Sequence, residues 1–279
     1  MRTTVVGSHP GGDLRTAVAD QLDAGIDLLS DGQTRGDMIS SFLCHIPGCA
    51  RRPDGRWAVA GRLGLPAAPM TVTDWLTATA LTATALSAER PVKSILTGPT
   101  TLACAVMVEP GAPYAGPGDP ALVRDFAAIL AAEADALSAA GSSTVQIDEP
   151  FFSIGADVAA GLEALSQITG AIAGPWLHCC GDLRSVWPLL QRAPVAVLHL
   201  EATRPDRLPP DLRATPALAF GVIDSATDEV DRLETVCNRI RRLPVQAETW
   251  LAPDCGLRLR SRTAARRKLA ILVQAARLA

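Results

Sequence analysis

The feature that most constrains this chain is a regular alternation. Short apolar, β-branched runs are separated by longer segments with helical spacing. The runs are "TTVVGS" (3–8), "IDLLSDG" (26–32), "VKSILTG" (92–98), "STVQIDEP" (143–150), "GPWLHCC" (174–180), "VAVLHLE" (195–201), "ALAFGVID" (217–224) and "ETWLAPDC" (248–255). Several are almost continuously apolar, the signature of parallel strands buried on both faces. Between them, "LRTAVADQLDAG" closes on Gly25 and "PALVRDFAAILAAEADALSAAG" on Gly141, both read as C-terminal caps. "TDEVDRLETVCNRIRRL" (227–243) is expected to form a helix capped by Thr227, and "SRTAARRKLAILVQAARLA" closes the chain as another. Eight strand–helix units over 279 residues predict an α/β fold of the (β/α)8, or TIM, barrel type. The rival, a doubly wound open sheet, lacks its glycine-rich phosphate loop, since "GSHPGG" has neither nucleotide-binding spacing.

The whole chain, 1–279, is expected to be one catalytic barrel with a long insertion at roughly 40–90. That insertion carries a hairpin signal around "RPDGRWAVAGR" and a helix over "TDWLTATALTATALS". A net charge of −3 excludes a general nucleic-acid binder, and the run "RLRSRTAARRK" is read as a solvated helix face. No apolar stretch is long enough for a membrane span, and "MRTTVVGSHPGG" is not an export signal. With 7 cysteines, an odd number, a reducing cytoplasm is expected, where clustered cysteines serve metals or catalysis.

In a barrel the active site gathers at the C-terminal strand ends. Those ends carry Ser8, Asp31 and Gln33, Thr97, Asp148 and Glu149, His178 and Cys180, Glu201, Asp224 and Cys255. Residues two apart on a strand point the same way, so His178 and Cys180 face one cavity while Cys179 faces outward. With Glu201 and Cys255 they make a tetrahedral N, S, O ligand set suited to Zn2+. Two thiolates make zinc a poor activator of water but a good holder of a substrate thiolate, so the set reads as thiol alkylation. Cys104, Cys179 and Cys237 are read as structural, and Cys44, His45 and Cys49 as structural or incidental. His9 and His199 receive no role, and His199 is expected to point away from the Glu201 side of its strand.

"TTVVGSHP", "SDGQTRGDM", "ILTGPTT", "QIDEP", "HCC", "LEATR", "GVID" and "PDCGLRLR" together resemble, in the same order, the catalytic C-terminal barrel of cobalamin-independent methionine synthases. The resemblance covers almost the whole chain and corresponds to a short, core form of that family. It implies zinc on His178, Cys180, Glu201 and Cys255. It also implies homocysteine as substrate, its carboxylate held by the Val6-Gly7-Ser8 turn and its ammonium by Asp148. A further contact falls to Gln33 or Asp37. The expected substrate set is therefore Val6, Gly7, Ser8, Gln33, Asp37, Asp148 and Glu149, with Asp148 and Asp224 as the catalytic carboxylates.

Three departures concern the methyl donor. The family's folate-stacking tryptophan falls at Ala105, its folate-contacting glutamate at Ile154, and its proton-donating histidine at Ala226. A pterin would lose a stacking surface, a polar partner and the acid for its leaving nitrogen. The expected donor is a methylated corrinoid, free or on a corrinoid protein, because cobalt leaves without protonation. The expected reaction is methyl transfer to homocysteine. The alternatives are alkyl transfer to another thiol such as coenzyme M, and a lyase on the related uroporphyrinogen decarboxylase-like barrel. Monomer and dimer are both compatible with the sequence.

Overall fold

The eight apolar runs become eight short parallel strands. They are β1 (Arg2–Thr3), β2 (Leu29–Ser30), β3 (Val92–Thr97), β4 (Thr144–Asp148), β5 (Gly174–Cys179), β6 (Val197–Glu201), β7 (Ala217–Ile223) and β8 (Trp250–Pro253). The structure is a computed structural model that describes residues 1–85, 90–214, 216–244 and 248–279. The hydrogen-bonded order is β1-β8-β7-β6-β5-β4-β3-β2, and a parallel bridge between Thr4 and Leu28 joins the two ends. The sheet is thus closed into a barrel. β1 is shorter than its apolar run because the chain leaves the ladder after Thr4 and continues as irregular backbone through Val5 and Val6.

Seven helices run with the strands: α1 (Leu14–Ala24), α2 (Val72–Ala85), α3 (Pro120–Ala139), α4 (Val158–Thr169), α5 (Trp187–Leu190), α6 (Leu233–Arg241) and α7 (Arg262–Leu278). Their ends follow local chemistry. Asp13 caps α1 by accepting from Thr16 N at 2.8 Å, and Gly25 ends it with a φ of 84°. Ser261 caps α7 through Ala264 N. The insertion forms the expected hairpin, Cys49–Arg51 against Trp57–Val59, with Met107–Val108 added in parallel. α2 covers most of the threonine- and alanine-rich stretch; its expected last residues, 86 and 87, lie outside the described ones.

Two expectations are corrected. α6 begins at Leu233, not near Thr227. The Asp224 carboxylate accepts from Ala226 N at 2.7 Å and from the Thr227 hydroxyl at 3.3 Å, which folds the segment into a loop. The Lys268 ammonium then holds that loop by donating to the carbonyls of Asp224 and Glu229. Lys268 is itself the second correction: it sits in the basic run read as solvated, yet it is 0% exposed. In the same run Arg262 and Arg266 pair with the buried Asp20.

The barrel interior is layered. Leu28, Trp176, Val197, Ala219 and Trp250 form an apolar floor, with Trp176 and Trp250 edge to face at 5.3 Å. Above it lie Lys93, Gln146 and His199, all buried. Asp148, two residues beyond Gln146, and His178, two residues beyond Trp176, point to the same interior face further along their strands.

Candidate functional site

β5 delivers His178 and, just past its end, Cys180; the loop after β8 delivers Cys255. Their ligand atoms lie within 4.8 Å of one another, the one such group of three or more among the described residues. Cys179 points the other way and is fully buried in the apolar core between the strands and helices. The Cys180 thiol donates to Cys255, which pulls the Cys255 thiol well below its ordinary range and pushes Cys180 up; His178 adds to the effect on Cys255.

His178 has one ring nitrogen engaged and one free. Its Nδ1 lies 2.6 Å from Nδ1 of His199, while its Nε2 is buried with no hydrogen-bond partner among the described residues. A buried orphan nitrogen beside two thiols has the donor chemistry of a soft-metal site. Burial drives the pKa of His199 far below its usual value, so that ring is neutral. If His178 donates from Nδ1 to His199, its Nε2 carries the lone pair that a metal needs. His199 therefore lies on the inner face, the same face as Glu201. The expectation that it points away is corrected by the two-residue period of the strand.

Glu201 is near the trio but outside it. Its Oε2 accepts from Gly181 N at 3.1 Å, and its Oε1 is 3.6 Å from Arg207. It lines a cavity of about 530 Å3 together with Asp224, Ala226 and Asp254. A second cavity of about 330 Å3 is lined by Val6, Ser8, Gln33, Asp37, Asp148 and His178, among others. Cys180 and Cys255 line both, so the two thiols form the wall between the cavities.

The remaining sequence candidates divide between these spaces. Asp148 is buried, and burial raises its carboxyl to about 6 against the pull of His178 and Gln146. Gly7 is packed against Ile95 and the Gln33 amide with no room for a Cβ. Gln33 holds a φ of 46°, and Asp31 secures that turn by accepting from Gln33 N at 3.0 Å. The Asp37 carboxylate is occupied by the amides of Ile39 and Ser40.

Glu149 is not brought to either cavity. It faces the opposite side of the chain from Asp148 and accepts from Thr100 N, Thr101 N and the Thr101 hydroxyl at 2.9, 2.8 and 2.6 Å. It thereby caps the short helix Pro99–Cys104, and burial raises its carboxyl to about 7. The sequence reading missed Lys93 and Gln146. The signals were there: Gln146 is two residues before Asp148 on the same face, and Lys93 is one of only two lysines in the chain.

A closed barrel whose mouth gathers two thiols, an imidazole and a buried carboxyl is the frame of a (β/α)8 enzyme. The profile of the cobalamin-independent synthase catalytic domain matches residues 11–278. The methionine synthase of Methanothermobacter marburgensis is 34% identical, over 99% of each chain. The 5-methyltetrahydropteroyltriglutamate–homocysteine methyltransferase of Nitratidesulfovibrio vulgaris is 30% identical over 94% of this chain but only 36% of its own length. In fold, the B12-independent methionine synthase of Shewanella sp. W3-18-1, solved with selenomethionine, superposes with a TM-score of 0.85 at 24% identity, covering 99% of this chain and 96% of that one. The chain belongs to the cobalamin-independent methionine synthase family and is a methyltransferase. That membership sets aside the lyase alternative.

Proposed function

We propose that the protein is a zinc-dependent methyltransferase that methylates the thiol of homocysteine to give methionine. The observation that carries this reading is the buried, unpartnered His178 Nε2 next to the Cys180 and Cys255 thiols. His178, Cys180 and Cys255 would hold the metal. Glu201, whose Oε2 now accepts from Gly181 N, would serve as a fourth, exchangeable ligand. Zinc bound there supplies a lowered thiol pKa, so that the substrate sulfur is a thiolate at neutral pH.

The chain's own groups do the rest. Asp148, with its carboxyl raised to about 6 by burial, is ionised at neutral pH and pairs with the substrate ammonium. The Val6-Gly7-Ser8 turn offers the Ser8 hydroxyl and backbone donors to the carboxylate. Gln33 is preferred to Asp37 as the third contact, because Asp37 Oδ1 already accepts from two backbone amides and holds that side chain to its own turn. Asp224 is assigned to loop shape, since its oxygens hold Ala226 N and Thr227. The whole chain is read as one catalytic unit with 40–90 as its insertion. Among the described residues no helix is long and apolar enough to cross a membrane, and the seven free thiols suit the cytoplasm.

The donor is proposed to be a methylated corrinoid, free or on a partner protein. Ala105 caps the short helix after β3, Ile154 is exposed, and Ala226 lies where an acid would have to stand in the larger cavity. The donor is tested by methionine formation with methylcobalamin against methyltetrahydrofolate polyglutamate. The corrinoid is expected to turn over faster, and faster turnover with the folate refutes that part. Homocysteine and coenzyme M, competed for the zinc-loaded protein, test the acceptor.

A further inference from the structure

We infer that Gln146, clamped by the buried ammonium of Lys93, is the positioning residue that makes Asp148 selective for the amino group of the substrate. This rests on the reading of Asp148 and the Val6 turn as the homocysteine-binding groups.

The chain has two lysines, and both are buried. Lys93 reaches into the barrel on β3. Its ammonium lies 4.8 Å from the Trp176 ring centre and donates to Gln146 Oε1 at 2.5 Å. Gln146 Nε2 in turn donates to the Val6 carbonyl and to Asp148 Oδ1, both at 2.7 Å. An amide has one acceptor and two N–H donors, and an ammonium only donates. The carboxamide is therefore fixed in one sense. Flipped, it would set its NH2 against the ammonium and its oxygen against two acceptors.

Two consequences follow for the binding cavity. One Asp148 oxygen is engaged from below, so the other is left to face a ligand. Val6 follows β1 and Asp148 ends β4, and those two strands are not neighbours in the barrel. One amide thus ties the carboxylate-binding turn to the ammonium-binding acid across the interior and fixes their separation. Lys93 bonds to Gln146, which in turn bonds to Asp148, and so acts as a positioning residue through Gln146.

A purely structural role would affect every thiol substrate alike, whereas a positioning role would affect only those with an amino group. The test compares homocysteine with 4-mercaptobutanoate, which has the same thiol and carboxylate but no ammonium, in the zinc-loaded protein. Wild type is expected to prefer homocysteine in kcat/KM. In Gln146→Met and Lys93→Met that preference falls about tenfold or more, through KM rather than kcat, while one equivalent of zinc is retained. Should either variant fail to fold, the wild type decides through the Gln146 side-chain amide resonances. They are expected to shift with homocysteine and not with 4-mercaptobutanoate, and equal shifts overturn the inference. An unchanged preference in both folded variants also overturns it. Absence of any preference in wild type removes the homocysteine reading itself, and this inference with it.

Discussion

Two adjacent cysteines are predicted to have opposite importance. Cys180 is within 4.8 Å of the other two ligand atoms, while Cys179 is 0% exposed in the apolar core. Structural zinc sites bind with roughly 10–16 kcal/mol, so one of three or four ligands accounts for about 3–4 kcal/mol, or two to three orders of magnitude in affinity. Cys180→Ser is therefore expected to lose zinc to a competing chelator at about a hundredfold lower chelator concentration than wild type, with little change in melting temperature of the metal-free protein. Cys179→Ser puts a hydroxyl among apolar side chains, at a cost of about 2 kcal/mol, or roughly 4–8 °C in melting temperature. It should keep its full equivalent of zinc. The assays are chelator competition and thermal denaturation of both variants side by side. Zinc retained in Cys180→Ser, or lost from a folded Cys179→Ser, would refute the assignment of strand faces on which the metal site rests.

Three further outcomes are expected. His199→Phe removes the acceptor that orients His178 Nδ1, and zinc affinity should fall roughly tenfold to a hundredfold, read by the same competition. Lys268→Met leaves two loop carbonyls without their donor and removes one of the two cations beside Asp231, which should cost about 2–4 kcal/mol in urea unfolding. Glu149 has a folded pKa of about 7 against an ordinary 4.5, so between those values the folded state keeps a proton that the unfolded chain releases. Its contribution to stability is then lost as pH rises through that window, by about 3 kcal/mol. Glu149→Gln should flatten the dependence of the urea midpoint between about pH 5 and pH 7.5, and an unchanged slope would show that Glu149 is not the group responsible.

The barrel was legible because strands buried on both faces leave a simple mark, an apolar run bounded by polar ends. The cluster of His178, Cys180 and Cys255 was legible for the same reason, since His178 and Cys180 share a face by parity and Cys255 ends the last run. Parity would also have turned Glu149 away from the cavity and His199 toward it. Those two errors came from treating a strand end as a place rather than a direction. The start of α6 was not legible at all. It is set by Lys268, 44 residues from Asp224, and no local pattern encodes a partner at that distance. Lys93 and Gln146 were hidden differently: each looks like an ordinary polar residue until the barrel closes and brings them together.

The burial of both lysines has a practical consequence. Neither lysine is at the surface, so an amine-directed reagent finds no lysine to modify on the folded chain. Lys93 lies inside the strand barrel and Lys268 on the buried face of α7, in different layers of the molecule. Acylation at each, followed by mass spectrometry over time, would report separately on the opening of the inner barrel and on the peeling of its outer shell, with no label or tag engineered into the chain.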